Sequence, residues 1–390
     1  MPSLADIVSV AESLQGSPIA VLPSRCVAVR NRNATCRRCE EACIADAVTV
    51  GQNQVSIDAA LCVNCGACVG ACPGSALVGA KPLAEDVALQ ASRAMTACDG
   101  VAVIACARKA ARKTGDPERF AELPCLGRLT EAALVALACQ GAKQVYLVDG
   151  DCATCRYGAA EPAIDAAVQG AATLLGAWGQ PVPFERASGF PPCAQADDGQ
   201  SVRAAERRRL FARAGSMAKS AARTTAEQAL DEVLAQSKQR TLQTLRDRMR
   251  APGGAAAPFE PARNLAVLDA LCARGEPDGR PISTRLYGSV SIDSQTCSGC
   301  GVCLLACPTR ALRRSEVVEA DDPQQQMVEF QAADCIQCGL CADVCLRGSV
   351  TVSPVVSSAE LVDFEPRLMA IPRQMRGGAL FRKAYESRRA

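Results

Sequence analysis

Three runs of four cysteines share one spacing, with gaps of two, two and three residues. They are Cys62, Cys65, Cys68, Cys72; Cys297, Cys300, Cys303, Cys307; and Cys335, Cys338, Cys341, Cys345. A further run, "CVAVRNRNATCRRCEEAC", departs from the pattern. Cys36, Cys39 and Cys43 keep its last two gaps, but Asn33 stands where the first cysteine should be. Thiolates at these gaps wrap three ligands around one metal–sulfide core. The fourth cysteine, one helical turn on, points toward a neighbouring core. The chemistry implied is thiolate ligation of [4Fe–4S] clusters, which pass single electrons. Zinc is the alternative, but zinc sites separate two C-x₂-C pairs by a longer loop.

The loops must bend tightly to bring these thiols together. Gly66, Gly301 and Gly339 follow the second cysteine of their runs and allow the backbone to curl there. Pro73 and Pro308 follow the last cysteine. Between Cys43 and Cys62, "AVTV" and "QVSID" alternate as two strands around the turn "GQN". Between Cys307 and Cys335, "RRSEVVEADDPQQQMVEF" reads as a longer hairpin.

On these runs, both ends of the chain resemble bacterial two-cluster ferredoxins. The resemblance implies crossed ligation. One C-terminal cluster would take Cys297, Cys300, Cys303 and Cys345, and its neighbour Cys307, Cys335, Cys338 and Cys341. At the N-terminal end one cluster would take Cys43, Cys62, Cys65 and Cys68. The other would have Cys36, Cys39 and Cys72, with Cys26 the spare cysteine nearby. The expected fourth ligand is Cys26; the alternatives are a three-iron cluster with Cys26 free, or a ligand other than cysteine. Arg37 stands where the other runs carry glycine, so this loop must take a different backbone path. Arg30, Arg32, Arg37 and Arg38 surround it. They either offset cluster charge, face an acidic partner, or form a solvated basic loop.

Between about 82 and 190 the texture changes. "VAVIAC" (101–106), "RFAELPCL" (119–126) and "QVYLVDG" (144–150) read as strands, with "PVPFERA" (181–187) as a fourth. "LTEAALVALACQGA" (129–142) and "EPAIDAAVQGAATLLGAW" (161–178) read as helices, the second with Pro162 in its first turn. Alternation of this kind predicts a parallel sheet. Cys106, Cys125, Cys152 and Cys155 fall at successive strand ends, where such sheets present ligands. Cys106, the turn Cys125-Leu126-Gly127-Arg128 and "GDCATC" together resemble the delta subunit of methyl-viologen-reducing hydrogenases, an iron–sulfur electron-transfer subunit. That resemblance implies a fifth cluster on these four cysteines. The family's centre is [2Fe–2S]; the altered spacing at Cys152 and Cys155 leaves [2Fe–2S] and [4Fe–4S] as alternatives. Buried structural cysteines are the plainer reading of Cys106 and Cys125 taken singly. Cys139 is expected in the core of its helix, Cys98 is a possible extra ligand, and Cys193 and Cys272 belong to no group.

The remaining composition narrows the chemistry. The chain has 390 residues, 24 cysteines and no histidine, with 43 basic against 41 acidic residues. Imidazole-based nucleophile activation, proton shuttling and histidine-ligated metals are excluded. Neither G-x-G-x-x-G nor G-x-x-x-x-G-K-[ST] occurs. No leader is read at the N-terminus, and no stretch approaches the roughly 20 apolar residues of a membrane span. A cytoplasmic, reducing location is expected. Residues 203–250 carry 12 Arg/Lys against five Asp/Glu. They read as a helical connector rather than a nucleic-acid-binding segment, since aromatic residues are almost absent there.

The fold class expected is α+β ferredoxin-like dicluster domains at both ends, a central α/β parallel-sheet domain and a helical connector. The domains are 1–81, 82–190, 191–258 (basic connector and flexible linker), 259–356, and a basic tail at 357–390. The function expected is relay of single electrons between a redox enzyme and a second carrier. Partners would be of the hydrogenase, formate dehydrogenase, flavoprotein or molybdoenzyme type, with no nucleic acid and no membrane span. The rival is a reductase acting directly on a small thiol, disulfide or other substrate at the central domain.

Overall fold

The computed structural model describes residues 18–51, 53–79, 82–150, 152–196, 257–316, 322–363 and 365–373. The connector helices expected at 203–250, most of the break at 251–258 and the tail from 374 lie outside the described residues.

The N-terminal unit is made of short elements: β1 (Ile19–Val21), α1 (Val27–Arg30), α2 (Arg38–Glu41), β2 (Val48–Gly51), β3 (Gln54–Ile57), α3 (Ala67–Ala71) and β4 (Leu77–Gly79). β2 and β3 form the expected antiparallel hairpin, and β1 closes on β4 in a second antiparallel pair. Along β2 burial alternates, so Val48 and Val50 enter a small core with Ile19 and Leu77 while Thr49 faces out.

The central unit comprises α4 (Ala84–Ala97), β5 (Val101–Cys106), α5 (Ala107–Ala110), β6 (Ala121–Leu123), α6 (Glu131–Cys139), β7 (Gln144–Val148), α7 (Glu161–Ala177) and β8 (Phe184–Ala187). Its four strands are all parallel, in the order β6-β5-β7-β8. β5 is apolar throughout because helices cover both faces of a parallel sheet. Thr130 caps α6 by accepting a bond from the Ala133 N–H at 3.1 Å. Residues 190–196 return onto this unit: Phe190 packs on Phe120 with ring centroids 4.8 Å apart, and Gln195 bridges to Gly115.

The C-terminal unit contains α8 (Ala262–Cys272), β9 (Pro281–Ser283), β10 (Ser289–Ile292), α9 (Val302–Ala306), β11 (Leu312–Arg314), β12 (Gln325–Phe330), α10 (Leu340–Asp343), β13 (Val350–Ser353), β14 (Val355–Ser357), α11 (Ser358–Val362) and β15 (Arg367–Pro372). β11 and β12 form the longer hairpin, which β15 extends to three strands. α8 packs on α6, so the central and C-terminal units share one apolar core holding Leu134, Ile164, Leu271 and Tyr287. The Tyr287 hydroxyl donates to the Asn264 carbonyl within that core at 2.6 Å. The two ends of the chain also meet directly. Thr35 bonds Asp343 through its N–H and its hydroxyl, and Arg38 donates to the Gln337 carbonyl at 2.9 Å.

Candidate metal centres

None of the 24 cysteines is in a disulfide. Twenty of them fall into five groups. Cys26, Cys36, Cys39 and Cys72 are electrostatic neighbours of one another, and so are Cys43, Cys62, Cys65 and Cys68. Cys303 neighbours Cys297, Cys300 and Cys345; Cys338 neighbours Cys307, Cys335 and Cys341. In every pair of runs the fourth cysteine therefore joins the opposite run. Folding also carries Cys26, from the start of α1, to the three thiols left at the N-terminal end.

The backbone repeats with the thiols. Gly66, Gly301 and Gly339 have φ of 77°, 71° and 79° and open α3, α9 and α10. The residue before the second cysteine, Asn64, Gly299 or Gln337, is left-handed as well. Arg37 has φ −125°, and this loop does follow its own path. Three residues beyond each fourth cysteine, Asp46, Ser75, Arg310 and Gly348 all have positive φ. That turn aims the next backbone N–H at the sulfur. Ala47 donates to Cys43 at 3.2 Å, Ala76 to Cys72 at 3.2 Å, and Ser349 to Cys345 at 3.3 Å. Amide donors of this kind stabilise thiolate charge on a cluster.

In the central unit Cys106 ends β5, Cys125 follows β6, and Cys152 and Cys155 follow β7. All four line one cleft of about 710 Å³ with Arg108, Asp149, Arg156 and Tyr157. Gly127 donates to Cys125 at 3.4 Å and Tyr157 to Cys155 at 3.5 Å. Arg186, on β8, supports the rim. It bonds Asp149 at 2.6 Å and Glu161 at 2.9 Å, tying the end of β7 to the start of α7. Cys98 does not join this group. It is buried against Cys193, with Phe120 and Phe190 around it. Cys139 is half-buried at the end of α6 and Cys272 is exposed. Sequence reasoning had no signal for the Cys98–Cys193 contact, because the two lie on separate segments and share no motif.

The electrostatics show what the groups require. Burial, then repulsion from Cys72, Cys26 and Cys36, pushes the Cys39 thiol up to about 12. Burial and the neighbouring thiols do the same to Cys341. At Cys345 burial pushes upward, but backbone donors from Ser349 and Arg347 prevail and hold the thiol below its ordinary value. Four clustered, buried thiols of this kind deprotonate together only with a cation between them, so the donor sets fit iron–sulfur clusters. Among the described residues, no three or more Cys, Asp or Glu side chains converge tightly enough for a single metal ion.

Paired cysteine runs, antiparallel hairpins and amide-to-sulfur bonds define an iron–sulfur protein of electron-transfer type. Residues 296–349 match the family described as 4Fe-4S dicluster domain, and residues 55–78 the family described as 4Fe-4S binding domain. An uncharacterized ferredoxin of Methanocaldococcus jannaschii is 35% identical over 68 residues, which are 17% of this chain and 97% of that relative. The chain belongs to the ferredoxin family. Neither family match reaches the central unit. No solved structure matches the chain. No helix among the described residues is long and apolar enough to cross a membrane.

Proposed function

We propose that the chain is a five-centre electron relay, with the five cysteine groups as the ligand sets of five clusters. The observation that carries this reading is continuity from one group to the next. Cys125 of the central group faces Cys65. Cys68 faces Cys39. The Arg30 guanidinium, on the helix that Cys26 opens, lies within electrostatic reach of Cys307 and Cys338. Cys341 faces Cys303. The order is therefore central, Cys43 group, Cys26 group, Cys307 group, Cys297 group. When bound, the clusters supply one-electron transfer. The chain's part is to space them, exclude water and set their charge environment.

The two ends of this order differ in character. The central group opens into its cleft, while the far group carries exposed Cys300, with exposed Leu305 within the same run and exposed Leu346 directly after Cys345. Apolar surface next to a cluster suits contact with a second redox protein. Donor or acceptor partners of hydrogenase, formate dehydrogenase, flavoprotein or molybdoenzyme type fit this reading, as does the resemblance of the central unit to the hydrogenase delta subunit. Twenty-four cysteines with no disulfide among them suit a reducing, cytoplasmic location. The cleft, lined by Arg108, Arg156 and Tyr157 besides the four thiols, favours one second reading: a reductase acting on a small thiol or disulfide there.

The test is anaerobic purification with iron and acid-labile sulfide counts. Four cubanes give about 16 iron atoms, a [2Fe–2S] central centre about 18, and a cubane there about 20. Near-zero iron with high zinc overturns the relay. Reoxidation of the reduced protein by small disulfides, with no partner protein, selects the reductase.

A further inference from the structure

A cation from the central unit, Arg128, reaches the Cys43 group through space left by two glycines. Arg128 lies on the 3₁₀ turn Leu126–Arg128 of the central unit, three residues after Cys125. It is only 8% exposed. Its side chain lies along the boundary with the N-terminal unit and donates to the Pro82 carbonyl at 2.5 Å. Two N-terminal glycines make room for it. A Cβ at Gly66 would overlap the Arg128 methylenes, and a Cβ at Gly79 would overlap its guanidinium. The charge lies beside Cys68.

The equivalent glycines of the C-terminal unit do not back onto a cation. Behind Gly301 a Cβ would meet only Leu304, at 3.9 Å, and behind Gly339 it would meet nothing within 4 Å. Gly66, Gly301 and Gly339 are needed for the same left-handed turn, but only Gly66 also backs onto a cation. Ion burial is costly, and this one is housed by glycines on both sides. A merely structural link between units needs no charge at that depth.

We propose that Arg128 is a positioning and tuning residue for the cluster on Cys43, Cys62, Cys65 and Cys68. It favours the reduced cluster, which carries one more negative charge, and so makes this cluster the acceptor for electrons leaving the central centre. The inference rests on the relay reading above. A unit charge buried within reach of a cluster shifts its one-electron equilibrium on the order of tenfold, and tenfold corresponds to 59 mV.

The experiment is a redox titration of the full chain, followed by EPR, on wild type, Arg128→Gln, Arg128→Lys and Gly79→Ala. The relevant signal is identified by its loss in Cys62→Ser. Arg128→Gln is expected to make reduction of this cluster about tenfold less favourable and to leave the C-terminal signals in place. Arg128→Lys, which keeps the charge, should restore most of the difference. Gly79→Ala keeps the arginine but displaces its guanidinium, and should shift the same signal in the same direction. It also serves as the test if Arg128→Gln fails to fold. A chain with full iron whose signal moves less than twofold in both Arg128→Gln and Gly79→Ala overturns the role of Arg128 and leaves the relay standing. Wild type without iron overturns the relay itself.

Discussion

Replacing Cys26 with serine removes one thiol from the group formed with Cys36, Cys39 and Cys72. The cysteine sits at the start of α1, where burial pushes its thiol up and the nearby backbone N–H groups of Val29 and Ala28 partly offset this. No other cysteine is spare at this group, because Cys43, Cys62, Cys65 and Cys68 belong together. Ligand exchange therefore has no nearby substitute to draw on, and the corner iron held by Cys26 should be lost from nearly every molecule. The expected change is about one iron per chain, whatever the total, as a four-iron core becomes a three-iron core. An iron count reads this poorly, since one in about 20 is near its error. EPR of the oxidised protein reads it well. A four-iron core is silent in that state, while a three-iron core contributes about one spin per chain. Cys36→Ser should give a related loss, and Cys139→Ser should change nothing. Undiminished iron in Cys26→Ser with no new signal refutes the reasoning. So does a three-iron signal in gently handled wild type.

Arg285 faces Glu131, which is 2% exposed, at 3.1 Å. Arg285→Met should cost about 3–5 kcal/mol at neutral pH by leaving a buried charge unpaired, with Glu131→Gln in the same chain restoring much of it; the thermal midpoint reads both. Burial holds the Glu131 carboxyl above its ordinary value despite Arg285. Between those two values the folded chain binds more protons than the unfolded one, so this group's contribution to stability should fall as pH rises through that window. A wild-type slope in that window equal to that of Glu131→Gln would contradict this. Arg186→Met removes the tie between Asp149 and Glu161, and should release about two or four iron atoms from the central centre while about 16 remain. Iron lost evenly from all centres would contradict it. Cys300 is exposed whereas Cys335 is buried. After brief exposure to air and a chelator, alkylation mapped by mass spectrometry should label Cys300 first; earlier labelling of Cys335 would contradict that order.

Much of the candidate site is legible in the chain because thiolate loops are local objects. Three thiols within seven residues can face one core only if the backbone curls, so the spacing and the glycines carry the message together. The hairpin after Cys43 and the strands of the central sheet are legible for a similar reason, since alternating and continuous apolar runs reflect burial on one face or two. Other features leave no trace of this kind. α4 and α8 were not evident: α4 buries only alanines, Ala91 and Ala94, and α8 interleaves polar and apolar residues. Nothing adjacent in sequence couples Cys98 to Cys193, or Thr35 to Asp343.

The residue types and short gaps by themselves determined a chain built for thiolate-bound iron and single-electron chemistry, with no imidazole available for anything else. Only the tertiary structure decided which groups are neighbours. It brought Cys26 beside Cys36, set Cys125 facing Cys65, laid Arg30 against Cys307 and Cys338, and drove Arg128 between two glycines of a different unit. Ligand spacing is written over a few residues, where backbone geometry links sequence to shape directly. The succession of centres depends on how whole units pack, and packing sums many weak contacts between segments far apart in the chain.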